Sequence, residues 1–384
     1  MKDEIPIGGT CDPRFAPVRE AFIGNFRERS EPGGAVALMV EGRLVADLWG
    51  GWRDAARQNP WARDTLVNFF SVGKAFTSLV ALRLVERGLL DLDAPAATHW
   101  PEFAAAGKER ITLRHILAHQ AGLPAIREPL PDGAMFDWPR MTAALAAQTP
   151  WWEPGTAHGY HVNTFGYLAG ELVRRAGGRT LGQILRDEVA GPLGADIHIG
   201  LPQTEHSRCA EFLWPSVEIP RPETSLDDDA LMKWNTYWNP PGISGAGWVN
   251  SSEWRTAEIP STNGHGTARG IARIYAALAN GGAIDGVEIL SPAMLTEATT
   301  EQSFGRDRIL DRESRFALGF QLPQAERRLG PNDVAFGHFG AGGSLGFCDP
   351  QARVAFAYVT NDMGPRWQNP RNRALIEAIY ESLA

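Results

Sequence analysis

The sequence predicts an α+β protein in which one antiparallel sheet is built from both ends of the chain. Helices cover its faces, and a large, mostly helical insertion separates its two halves. Three observations lead there: a strand hairpin within 35–49, further strand-like runs from 317 to 360, and helix-period segments filling the space between. With 384 residues, 43% hydrophobic and 21% charged, the chain is long and apolar enough for one large or two ordinary domains with a full core.

Taken in order, residues 14–29 place Phe15, Val18, Phe22 and Phe26 three or four apart, the spacing of one helix face. Residues 35–40 and 44–49 are apolar and β-branched, joined at Glu41-Gly42, and read as a hairpin. A helix starting at Ser71 carries Phe76, Leu79, Val80, Leu82 and Leu84 into a core and stops near Gly88. Helical patterns follow at 112–119, 140–148, 163–176, 180–190 and 266–280. They are interrupted by a loop-rich stretch at about 201–262 that holds Trp214, Trp234, Trp238, Trp248 and Trp254, five of the thirteen tryptophans. Strands are expected at 317–321, 343–348 and 353–360, and a closing helix at 371–383. No repeat or low-complexity linker divides the chain. One catalytic unit is expected, with an α/β part at 1–80 and 265–384 and a mostly helical part with tryptophan-rich loops at 81–264.

The bulk properties exclude several partners. A net charge of −8 disfavours nucleic acid and anionic membranes, which require clustered positive charge. No apolar run approaches the roughly 20 residues of a membrane span. The start, Met1-Lys2-Asp3-Glu4-Ile5-Pro6, lacks the apolar stretch of a secretion signal. Cys11, Cys209 and Cys348, odd in number and widely spaced, read as reduced thiols and not as a metal site. A cytoplasmic protein with no cofactor and no metal is expected.

The most informative pair is Ser71 and Lys74. The chain has only four lysines (Lys2, Lys74, Lys108, Lys233) against 33 arginines, yet one stands three residues after a serine where a helix begins. That spacing puts both on one helix face. Burial lowers a lysine pKa until the neutral amine can take a proton, which arginine cannot do. A serine so activated is a covalent nucleophile. Taken alone, the pair also fits a helix start followed by a solvated charge.

Two further segments favour the chemical reading: Pro154-Gly155-Thr156 leading to Tyr160, and Gly337-His338-Phe339-Gly340-Ala341-Gly342-Gly343-Ser344 before a strand. With these three motifs in order, the chain resembles the serine β-lactamase and penicillin-binding-protein superfamily. It is most similar to the class C-like branch known as family VIII carboxylesterases. Residues 111–124 and 258–266 match as well, so the resemblance runs from about 15 to 380. It implies that Ser71 is acylated, Lys74 is its base and Tyr160 relays protons. It also implies that the backbone N–H groups of Ser71 and Ala341 form an oxyanion hole, and that His338, Phe339 and Gly340 take the place of a K-T-G strand motif. His161, Val162 and Trp238 are added as candidate substrate contacts.

The chain departs from the family pattern at three points. Val162 stands where Y-x-N has its asparagine, with Asn163 one step late. His338 replaces a lysine and is mostly neutral at pH 7. Phe339 replaces a threonine. Two groups that grip a substrate carboxylate are thereby weakened, which favours neutral esters. Three other signals are discounted. Gly342-Gly343-Ser344-Leu345-Gly346 matches a nucleophile elbow, but a strand follows it and no histidine lies beyond His338. His115 and His119 stand four apart without the glutamate of H-E-x-x-H, so a packing role is expected. For His161 and His265 a structural hydrogen-bonding role is favoured over lining the pocket.

The expectation is a serine carboxylesterase acting on short- to medium-chain acyl esters, a small-molecule substrate, through an acyl-enzyme. Alternatives are a β-lactamase or D,D-peptidase, a related amidase or acyltransferase, and a non-catalytic scaffold on the same fold. Oligomeric state is left open.

Overall fold

The computed structural model describes residues 5–215, 226–364 and 367–384. Its main sheet has six strands: β1 (Ile7–Cys11), β2 (Gly33–Val40), β3 (Arg43–Gly51), β4 (Phe336–Phe339), β5 (Leu345–Asp349) and β6 (Val354–Thr360). Their order is β1-β3-β2-β6-β5-β4, and every neighbouring pair is antiparallel. The two ends of the chain meet at β2 and β6, registered from Gly34 opposite Thr360 to Val40 opposite Val354.

Side chains alternate across that seam, and both faces are covered. Val36, Leu38, Phe347 and Phe356 pack with Phe22 of the helix Ala16–Glu28 and Ile379 of the helix Pro370–Leu383. Ala37, Met39, Ala355 and Ala357 face the helix Ala268–Ala279, which contributes Ile271 and Tyr275. Burial on both sides explains why β2 and β6 read as unbroken apolar runs.

The helix Gly73–Glu86 lies in the middle of the larger core, with every residue from Gly73 to Leu82 buried. A helix apolar all round is one buried all round. Further helices occupy Leu113–Leu117, Trp138–Ala147, Thr164–Gly177 and Leu181–Leu185, the last continuing as a π turn, Arg186–Ala190. No helix among the described residues is long and apolar enough to cross a membrane.

One expectation is corrected, and the structure adds detail at two other places. Residues 317–321 are not a strand: Ala317 N–H donates to Phe320 O at 2.9 Å, closing a tight turn in which Gly319 has φ +77°. The apolar run there is a buried turn joining the hairpin Ser303–Arg306/Glu313–Phe316 to β4. The stretch 201–262 is not only loop, because the helices Asp228–Trp238 and Ser252–Thr256 form behind the caps Asp227 and Ser251. Part of that stretch, 216–225, lies outside the described residues. Strand β1 is additional to the strands expected from the sequence, its Gly8 and Gly9 carrying no side chains to mark a strand.

Candidate active site

The helix Gly73–Glu86 is entered through a single 3₁₀ turn, Phe70–Val72, in which Phe70 adopts φ +50°. A non-glycine residue in the left-handed region is held there by its surroundings. Phe70 is anchored edge-on against Phe212, with ring centroids 4.8 Å apart. The turn presents Ser71 at the helix start. One helical turn on, Lys74 is fully buried, and its Nζ lies 3.1 Å from Ser71 Oγ, 2.7 Å from Val162 O and 3.1 Å from Ser261 O. Burial holds its pKa well below the ordinary 10.5. Two of the three neighbours are carbonyls, which can only accept. A neutral amine therefore gives its two N–H bonds to Val162 and Ser261 and turns its lone pair to the Ser71 hydroxyl.

Tyr160 stands over this pair, its ring centroid 4.8 Å from Lys74 Nζ. The ring is clamped by Phe316 (5.7 Å, nearly parallel), Trp367 (5.0 Å) and His119 (4.9 Å). Its backbone N–H donates to Asp307 Oδ1 at 3.0 Å. No hydrogen bond of ordinary length reaches its hydroxyl among the described residues, although Ser71 is near enough to favour the phenolate. Burial outweighs that influence and raises the Tyr160 pKa, so the phenol stays protonated at neutral pH.

The rim of the site is β4 and the turn after it. Gly340 is pressed so closely to the strand preceding Ser71 that an added Cβ would lie 2.3 Å from Phe69 O. Only glycine allows that approach. Neither the Ser71 nor the Ala341 amide donates to a protein acceptor among the described residues. His338 is fully buried and tilted against Tyr160 (6.0 Å), with Nδ1 2.7 Å from Phe339 O. Burial, followed by the nearness of Lys74, depresses its pKa to about 3, so it is a neutral ring whose Nε2 has no partner among the described residues. Phe339, next along the strand, belongs to the apolar layer between the sheet and the terminal helices.

Residues 20–381 match the family described as Beta-lactamase. This chain is a member of the beta-lactamase family. It is 37% identical over 362 residues to the esterase/beta-lactamase LipL of Mycobacterium tuberculosis, covering 92% of this chain and 83% of LipL. A beta-lactamase of Escherichia coli K12 is 30% identical over 193 residues, 49% of this chain and 50% of that protein. Among solved structures, a family VIII carboxylesterase superposes with a TM-score of 0.91 at 42% identity, covering 98% of this chain and all of that one. A penicillin-binding-protein homologue from Caulobacter crescentus superposes with a TM-score of 0.89, also at 42% identity and with the same coverage. The chain is thus a serine hydrolase of the esterase/beta-lactamase fold, close to family VIII carboxylesterases.

Within this beta-lactamase fold the remaining sequence candidates are distributed as follows. Both ring nitrogens of His161 are engaged, Nδ1 with Gly159 O at 2.6 Å and Nε2 with Leu123 N–H at 3.1 Å, so it ties loops together. Val162 contributes its carbonyl to Lys74. Asn163 is consumed by Thr236 O, Ser244 and Thr262. Trp238 pairs with Trp234 (6.1 Å), whereas its neighbour Tyr237 shares the apolar cluster of Tyr160. Trp254 is core, donating to Asn68 Oδ1 at 2.9 Å. Ser344 is fully buried, with β5 directly after it. His115 completes a capping box with Thr112, and His119 Nδ1 accepts from His161 N–H at 3.1 Å. His265 is fully buried, and burial lowers its pKa to about 3. Among the described residues no group of three or more His, Cys, Asp or Glu side chains could hold a metal ion. Sequence reasoning missed the Ser261 carbonyl, Tyr237, Phe316, Trp367 and Asp307. Only the match at 258–266 hinted at the first.

Proposed function

We propose that this serine hydrolase is a carboxylesterase that cleaves short- to medium-chain acyl esters through an acyl-enzyme on Ser71. The observation that carries the reading is the buried Lys74 amine, held by two carbonyls and aimed at Ser71 Oγ. Lys74 takes the hydroxyl proton as Oγ adds to the ester carbonyl. The developing oxyanion sits at the Ser71 and Ala341 amides, where one such donor is typically worth about 3–4 kcal/mol. Tyr160 passes a proton to the departing alkoxide, and the same groups then activate water to release the acid. The neutral His338 gives β4 no cation for a substrate carboxylate, which favours esters over β-lactams. The three cysteines are free thiols, in keeping with a cytoplasmic setting.

A β-lactamase or peptidase reading uses the same serine, lysine and tyrosine, and the relatives named above include a beta-lactamase and a penicillin-binding-protein homologue. The test is labelling by a fluorophosphonate probe followed by intact mass, with an aryl ester series and a chromogenic cephalosporin assayed in parallel. Ser71→Ala should abolish labelling and Ser344→Ala should retain it. Label mapped to Ser344 would overturn the assignment. Faster turnover of the cephalosporin than of every ester would favour the second reading.

A further inference from the structure

A cavity of about 470 Å³ is lined by Tyr237, Arg312, Arg327, Trp367 and Arg373, with Glu326 the one carboxylate in its wall among the described residues. Trp367 forms the shared wall, since its ring also contacts Tyr160. The Arg312 guanidinium lies 5.2 Å from the centre of the Trp367 ring, with the residue only partly exposed. Its side chain makes no hydrogen bond and no ion pair of contact distance among the described residues.

That is out of character for this hairpin. Arg306 pairs with Asp311 (3.4 Å), Arg308 with Asp229 (2.7 Å) and Arg315 with Glu301 (2.5 Å). The anions nearest Arg312 are otherwise engaged. Asp307 is fully buried, and its carboxylate accepts from the amides of Tyr160, Ile309 and Leu310 and from the Ser314 hydroxyl. Glu326 reaches toward Arg327 (3.9 Å) from a side chain 88% exposed. Arg312 also depresses the pKa of Arg327, so two like charges share the cavity. A partly desolvated, uncompensated cation is costly, and an anion placed between such charges removes the cost.

We propose that Arg312 binds a carboxylate carried on the alcohol portion of the substrate. The guanidinium fork suits a planar carboxylate, and stacking on Trp367 leaves its N–H edge free. The side of the substrate follows from the function proposed above, on which this inference rests: Tyr160 protonates the leaving alkoxide, so the alcohol lies beside Tyr160, whose ring meets the cavity wall at Trp367. Neutral esters still fit, but esters of hydroxy acids are the preferred class.

A matched pair tests this: the butyrate esters of 3-hydroxybenzoate and 3-hydroxybenzamide, compared by kcat/KM within each protein. The wild type should favour the acid. Arg312→Gln should lower the acid-to-amide ratio at least about tenfold, the effect of one charge-assisted contact, while Arg312→Lys should lower it less. Arg312→Glu should shift preference toward 3-(aminomethyl)phenyl butyrate. Without any substitution, benzoate should inhibit the wild type better than benzamide, and added salt should erase the difference. An unchanged ratio in Arg312→Gln at an unchanged melting temperature, or equal inhibition by benzoate and benzamide, would make Arg312 a solvated surface cation and overturn the proposal. If Ser71→Ala still hydrolyses both esters, the catalytic reading fails instead, whatever Arg312 does.

Discussion

Lys74 owes its chemistry to what surrounds one nitrogen. Buried against two carbonyls and a hydroxyl, it has no acid within ion-pair distance among the described residues, and burial lowers its pKa. On the proposed mechanism the neutral amine is the base, so kcat/KM for a neutral ester should rise with pH through the Lys74 pKa and then level off. The midpoint should fall well below the 10.5 of a solvated lysine. A pH–rate profile with its midpoint near 10 would contradict a depressed lysine. Lys74→Arg keeps a cation but cannot accept the proton, so kcat should fall by about three orders of magnitude or more, measured on the same ester. The Ser71–Lys74 pairing was legible because the helical period alone brings residues three apart together. The Val162 and Ser261 carbonyls were not, because a backbone oxygen leaves no mark on the residue type that carries it.

Between residue and fold stands the hairpin Ser303–Arg306/Glu313–Phe316, whose register places Phe316 flat against Tyr160. Asp307 fastens it. The fully buried carboxylate collects three amides and a hydroxyl, including the amide of Tyr160 itself, and Ser314 extends the chain to His158 Nε2 at 2.9 Å. Asp307→Ala should strand those donors and cost about 3 kcal/mol or more in denaturant unfolding. On a neutral ester its kcat should fall more than its KM rises, because Tyr160 is displaced while Ser71 and Lys74 are not. Asp307→Asn, which keeps an acceptor, should recover part of both losses. Nothing in the run Arg306-Asp307-Arg308 sets this aspartate apart from the acids that pair at the surface. Three of its partners are local, and the one that ties it to the site lies 147 residues back in the chain, at Tyr160.

At the scale of the molecule, the two ends of the chain are joined at Glu31. Its buried carboxylate accepts from the hydroxyls of Tyr358 and Thr360 on β6 and pairs with Arg371 of the C-terminal helix at 3.5 Å. Burial outweighs the pull of Arg371 and the hydroxyls and raises its pKa from 4.5 to about 7. The sign follows: a group whose folded pKa lies above its unfolded value adds stability below the unfolded pKa, and that stability is lost as pH rises through the folded one. Between about pH 4.5 and 7 the fold should lose up to about 3 kcal/mol from this site. Melting temperature should fall across that interval in the wild type, and the fall should be smaller in Glu31→Gln. Equal slopes in the two proteins would show that Glu31 is ionised in the fold at all these pH values.

Residue order alone determined that this chain builds a sheet from both termini around a helical insertion, and that a serine and a scarce lysine share one helix face. Those are short-range facts, set by apolar period and by spacing within a single element. The tertiary structure decided the rest: that 317–321 turns instead of extending, that His161 and Asn163 serve as struts, that His338 is a neutral ring, and that Arg312 has no counter-ion at contact distance among the described residues. Each depends on which side chains and carbonyls the fold brings together from distant parts of the chain, and on how much water it leaves around them. Hydrogen-bond partners and pKa values follow from those surroundings, which no local pattern of residues contains.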